Sequence, residues 1–125
     1  MSTLRIRGQV IKKLYRSSQS DNWALLETDK AIYELRLGGL RRTVERRSDN
    51  YVVDLLIADR EIIDVLTDNF SLYFELDNGQ FLMHSDTWID GEGNTNFEVK
   101  LISEHEFAIE KEDLFNSGVE LKGLY

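Results

Sequence analysis

Residues 70–84 constrain the fold of this chain more than any other stretch. Phe70, Leu72, Phe74 and Leu76 alternate with Ser71, Tyr73 and Glu75, the chain turns at Asp77-Asn78-Gly79, and residues 80–84 return. Alternation of this kind suits a half-buried strand, because successive side chains point to opposite faces of a sheet. An Asn-Gly pair between two such runs predicts a tight hairpin. The expected turn is type I′, with positive φ at both central positions.

The same period of two recurs on both sides of that hairpin. Leu4, Ile6, Gly8, Val10 and Leu14 share one parity and predict a long strand, with Gly8 suited to a bulge or bend. Residues 17–22 are a polar loop. Residues 23–27 and 31–37 predict a second hairpin through Thr28-Asp29-Lys30, with Tyr33, Leu35 and Leu37 facing inward. Gly38-Gly39 ends this meander, and the polar run 40–50 allows one helical turn because Leu40 and Val44 stand four apart. Residues 51–57 suit a strand, with a short helix as the alternative, and 61–66 predict a strand centred on Ile63 and Val65. Residues 86–96, rich in Gly, Asp and Asn, read as a loop, after which Phe97, Val99 and Leu101 mark a further strand.

Ser103-Glu104-His105-Glu106 has the capping-box pattern, in which Ser103 accepts from the N–H of Glu106 while Glu106 reaches back. Phe107, Lys111, Leu114 and Phe115 fall on one side of a helix that stops near Gly118, and Ile109 lies off that stripe. The expected fold is therefore α+β, mainly β: a curled or barrel-like antiparallel sheet with one C-terminal helix on a face or across an opening. The 125 residues suffice for one β-rich domain over 1–125, and the absence of proline and of Gly/Ser tracts leaves no candidate linker.

Several function classes drop out on residue type alone. Cysteine is absent, which removes disulfides, Cys-ligated zinc, iron–sulfur clusters and a thiol nucleophile. With only His84 and His105, a multi-His metal site is excluded as well, and no cofactor is expected. Residues 90–96 place oxygen side chains at alternate positions, as calcium loops do. Counted from Asp90, however, the sixth and twelfth positions of an EF-hand hold Thr95 and Leu101 rather than Gly and Glu. His84-Ser85-Asp86 groups three residues used in catalysis, yet neighbours along a strand point apart and a triad converges in space. No P-loop, dinucleotide fingerprint or H-E-x-x-H is present, so a non-enzyme is expected. The longest apolar run, Leu55-Leu56-Ile57-Ala58, is far short of a membrane span, and no secretory signal is evident. The first twenty residues carry Arg5, Arg7, Lys12, Lys13 and Arg16 without an acid, as transit peptides do; an ordinary strand with charged outer positions is the preferred reading, and the expected location is cytoplasmic.

Charge supplies a direction. Net charge is −8, but residues 1–50 carry +5 and residues 51–125 carry −13. A surface built from the later part should attract a basic partner and repel nucleic acid. The alternatives are that the acids only solubilise the outside, or that they pair with the basic opening strands. Within the acidic part, Trp88-Ile89 is flanked by Asp86, Asp90 and Glu92, with Glu98 nearby. An aromatic anchor ringed by charge has the composition of an interface hot spot, unless Trp88 tucks into the core and the loop is a lid. The competing set is Arg41, Arg42, Arg46 and Arg47 with Tyr15, Trp23 and Tyr33, whose residue types suit phosphates and stacked bases. The pattern from Gly8 through Tyr15 to Trp23 is compatible with the opening strands of an OB-fold that binds single-stranded nucleic acid. An exposed sheet edge could also serve a homodimer.

The segment Leu56-Ile57-Ala58-Asp59-Arg60-Glu61-Ile62-Ile63-Asp64-Val65, followed by residues 72–82, resembles small bacterial immunity-type proteins over about a quarter of the chain. The resemblance implies a cytoplasmic, non-enzymatic protein that neutralises a cognate toxin by binding it, with an acidic surface over a basic active site. It implies no catalytic residue. The basic partner is then a toxin, and the residues expected to meet it are Asp86, Trp88, Asp90, Glu92 and Glu98.

Overall fold

Alternating sequence becomes two antiparallel sheets. The computed structural model describes residues 6–16, 24–36, 39–43, 51–52, 57–68, 71–89, 95–119 and 121–123. The first sheet contains β1 (Ile11–Arg16), β2 (Ala24–Thr28), β3 (Ile32–Arg36), β4 (Gly39–Thr43) and β5 (Tyr51–Val52), in the order β4-β3-β2-β1-β5. The second contains β6 (Ile62–Thr67), β7 (Ser71–Leu76), β8 (Phe81–Ile89), β9 (Thr95–Ile102) and, after helix α1 (Glu104–Asn116), β10 (Lys122–Gly123), in the order β10-β6-β7-β8-β9. Strands β5 and β10 are two residues each, so four substantial strands make up each sheet. Among the described residues the fold is mainly β with one C-terminal helix, and the two sheets do not close into a barrel.

The curl lies at one corner where the sheets meet. Val10 bridges Glu61, and four backbone bonds surround that bridge: Gly8 N–H to Ile62 O (2.7 Å), Ile62 N–H to Gln9 O (2.8 Å), Ile11 N–H to Arg60 O (2.9 Å) and Asp59 N–H to Ile11 O (2.7 Å). Beyond the corner β1 pairs with β5 and β6 pairs with β10. Gly8 sits at φ 85° in the turn that makes this possible. The long strand expected from Leu4 is therefore broken, with the described part of it beginning as a turn and continuing as β1.

Bulges reset parity on both sides of the corner. One lies between Ile11 and Lys13 and another between Ile62 and Asp64, so Ile11, Leu14, Ile62 and Val65 face the core. Val10 and Ile63, placed inward by strict alternation, do not; Ile63 is 43% exposed. The core between the sheets holds Leu26, Tyr33 and Leu35 from the first and Leu72, Phe74, Leu76 and Leu82 from the second. Tyr33 keeps its hydroxyl satisfied there by donating to Gln9 Oε1 at 3.0 Å, and Thr28 donates to the same oxygen. A buried hydroxyl without such a partner would be costly. Leu37 lies outside the described residues.

Helix α1 covers the other face of the second sheet. Phe107 stacks on Phe81 (centroids 3.8 Å apart) and meets Tyr73 edge-on (5.3 Å), while Met83, Ile102, Leu66 and Leu114 complete this second cluster. The expected capping box is present, with Glu106 N–H to Ser103 Oγ at 3.1 Å and Ser103 N–H to Glu106 Oε1 at 3.3 Å. The helix ends in a Schellman motif: Val119 N–H reaches Leu114 O (2.8 Å), Gly118 N–H reaches Phe115 O (3.0 Å), and Gly118 takes φ 81°. The stripe is narrower than the sequence suggests. Phe107 and Leu114 pack inward, whereas Lys111 is exposed and Phe115 is 75% exposed. One hundred degrees per residue separates Phe115 from Leu114 enough to turn it away from the sheet.

Two further expectations change. Residues 39–43 form β4 rather than a helical turn, held by pairing with β3 (Tyr33 opposite Arg42), so Gly39 continues the meander instead of ending it. The 76–80 turn is a three-residue loop, with Gly79 N–H to Leu76 O (3.1 Å) and Leu76 N–H to Gln80 O (2.9 Å). Only Gly79 has positive φ (86°), as in a type I turn closed by a glycine bulge, and Asn78 instead uses its Oδ1 to accept from Gln80 N–H. The loops expected at 17–22 and 44–50 lie outside the described residues, as do 53–56 of the strand expected at 51–57.

Candidate functional site

The acidic-aromatic set falls on a ribbon that outruns its sheet. Strand β7 pairs with β8 as far as Ser71 opposite Ser85. Beyond that point β8 continues to Ile89 and, among the described residues, is paired with β9 alone: Asp86 opposite Phe97, Trp88 opposite Asn96 and Ile89 opposite Thr95, with a bulge between Asp86 and Trp88. Much of the loop expected at 86–96 is thus a two-stranded projection. Hydrogen bonds to β9 stabilise the extended form there even though Asp and Asn disfavour strands. Asp86 and Trp88 stand on one arm of the ribbon and Glu98 on the other. Asp90 and Glu92 lie outside the described residues, as do the side chains of Asp86, Trp88 and Glu98.

The basic-aromatic set is divided by the sheet. Tyr15, Leu25, Glu34 and Arg41 form one row across β1 to β4, which puts Tyr15 and Arg41 on the same face. Both are engaged by acids from the strands between them: Tyr15 Oη donates to Glu27 Oε1 (3.3 Å), and the Arg41 guanidinium lies 3.1 Å from Glu34 Oε2. Arg42 is exposed but has the opposite parity and pairs with inward-facing Tyr33. Trp23, Arg46 and Arg47 lie outside the described residues. The opening strands form a sequential meander continued by a second sheet, whereas an OB-fold is a five-stranded Greek-key barrel.

His84 is wholly buried in the layer between the sheets, in the cross-strand row Leu72, His84, Val99. Desolvation lowers its pKa to about 4, so it is neutral at pH 7. The side chains of Ser85 and Asp86 lie outside the described residues. No group of three or more His, Cys, Asp or Glu that could hold a metal occurs among the described residues.

Ion pairing is uneven. Arg7 meets Asp64 at 2.9 Å and Lys12 meets Asp59 at 3.1 Å, so the basic opening does neutralise part of the later acids, and Arg60 lies 3.7 Å from Asp77. Helix α1 is different. It carries Glu104, Glu106, Glu110, Glu112 and Asp113 against Lys111, and none of the five carboxylates is in an ion pair among the described residues. Glu104 and Glu106 suit the positive end of the helix dipole, but Glu112 and Asp113 sit toward its negative end and the last turn has no basic residue. Glu106, Glu110 and Asp113 are spaced by four and three, a like-charge ladder along one side. The field reaches inward: burial first, then the charges of Asp68 and Glu110, push the Tyr73 phenol up to about 12.

No known protein family, curated protein or solved structure matches this chain. The sequence signal for this ladder is the four-and-three spacing of Glu106, Glu110 and Asp113, which runs along the flank of the apolar stripe, with Glu110 half-buried.

Proposed function

We propose that the protein is a non-enzymatic binding module for a basic macromolecular partner, of the immunity type, which occludes the cationic active site of a toxin. The observation that carries this reading is the acidic ladder on α1, whose carboxylates make no ion pair among the described residues. Acids at the wrong end of a helix and like charges one turn apart each cost a few tenths of a kcal/mol, so the sequence retains a negative surface that the isolated fold disfavours. A partner of opposite charge relieves that cost. The negative field steers encounter, and the β8–β9 ribbon carries Trp88 as the apolar anchor, with Asp86 on the same arm, Glu98 on the other and Asp90 and Glu92 in the sequence between them. Nucleic-acid binding is less well supported, since Arg41 is already held by Glu34 and Arg42 has the opposite parity.

The test uses a basic protein captured by affinity from the native host. The triple charge reversal Glu106→Lys, Glu110→Lys, Asp113→Lys is expected to slow its association about tenfold or more at low salt, with the effect shrinking as salt rises. Reversal of Asp90 and Glu92 is expected to slow it further. An unchanged on-rate for the helix variant contradicts steering by α1, and an unchanged on-rate for the ribbon variant removes Asp90 and Glu92 from the interface. Retention of a single-stranded oligonucleotide at physiological salt, lost on Arg42→Ala, would favour the nucleic-acid reading instead.

A further inference from the structure

The geometry points to the outer edge of β9 as a homodimer seam, along which two copies pair antiparallel about a two-fold axis at Val99. Among the described residues β9 has β8 as its only neighbour, which leaves eight residues of strand without proline at the end of the second sheet. Natural edges are usually blunted by shortness, proline, a bulge or a charged residue; here the bulge lies in the β8–β9 pairing near the ribbon rather than beside Val99, and the one lysine, Lys100, stands two residues from Glu98 of opposite charge. Val99 and Leu101 pack against the core between the sheets yet are only partly buried, as expected of the margin of an apolar layer that continues into a second copy.

Register selects the partner. In a two-fold antiparallel pairing that keeps both inner faces on the same side, the axis must pass through a residue of β9. Centred on Glu98 or on Lys100, it sets like charges directly opposite each other. Centred on Val99, it sets Glu98 of each copy opposite Lys100 of the other, Phe97 opposite Leu101, and Val99 opposite itself. Opposite charges across a strand pair stabilise it and like charges oppose it, so this register is self-complementary and its neighbours are not. Glu98 also belongs to the proposed contact with the basic partner, and sedimentation of the protein alone reads the seam apart from that contact.

Sedimentation equilibrium of the full chain is expected to show a dimer. Lys100→Glu, which sets acid against acid twice, is expected to weaken it about tenfold or more, and the exchanged variant Glu98→Lys with Lys100→Glu is expected to restore it. Because the chain has no cysteine, Val99→Cys provides a second readout: it should form a disulfide-linked dimer on mild oxidation, while Glu98→Cys should not. A monomeric wild type, a Lys100→Glu variant that dimerises as well as wild type, an exchanged variant that stays monomeric, or equal cross-linking at both positions overturns the seam.

Discussion

Lowering the pH from 7 to 4 is expected to remove about 3 kcal/mol of stability through His84 alone. The residue is fully buried, and desolvation lowers its pKa from 6.5 to about 4. In the unfolded chain His84 takes up a proton below about 6.5, whereas in the folded protein the neutral ring persists until about 4. Between those values the unfolded state binds more protons, so stability is complete above the unfolded value and falls as pH drops through the window. His84→Leu isolates this contribution. Urea midpoints at pH 7 and pH 4 should differ markedly less for the Leu variant than for wild type. Equal pH dependence in the two proteins would mean that His84 is not the titrating group.

Phe74→Ala is expected to cost about 3–5 kcal/mol, a large part of the roughly 5–15 kcal/mol typical of a folded domain. Phe74 is fully buried in the row Val65, Phe74, Leu82, at the middle of the face that the second sheet turns toward the first. Strands on both sides limit how far the site can collapse, so the cavity term adds to the lost transfer energy. Thermal unfolding should shift down for both sheets together, because the same core cluster contains residues from each. A loss below about 1 kcal/mol would show that the layer between the sheets is less tightly packed than this account requires.

Hairpins and caps were legible because their signals are local. Thr28-Asp29-Lys30, Asn78-Gly79 and the Ser103–Glu106 box each specify a turn or a helix start within a few residues, and all three appear where expected. Parity across bulges was not legible. A bulge shifts every following side chain to the other face, and those at Ile11/Lys13 and Ile62/Asp64 arise from the corner at Val10 and Glu61, fifty-one positions apart in sequence. The extension of β8 past β7 was hidden for a similar reason. Residues 86–89, Asp-Thr-Trp-Ile, include three good strand formers, but the Gly, Asp and Asn residues that follow them favour turns, and it is pairing with β9 that carries the strand on to Ile89. For the site, acidity and the Trp88 region could be read directly, whereas the row joining Tyr15 to Arg41 through Leu25 and Glu34 needed the strand order.

Salt dependence of association tests the central claim most directly. With the captured basic partner, the on-rate of the unmodified protein is expected to fall steeply, by about an order of magnitude or more, between low and physiological ionic strength. An on-rate indifferent to salt would contradict electrostatic capture by this acidic surface.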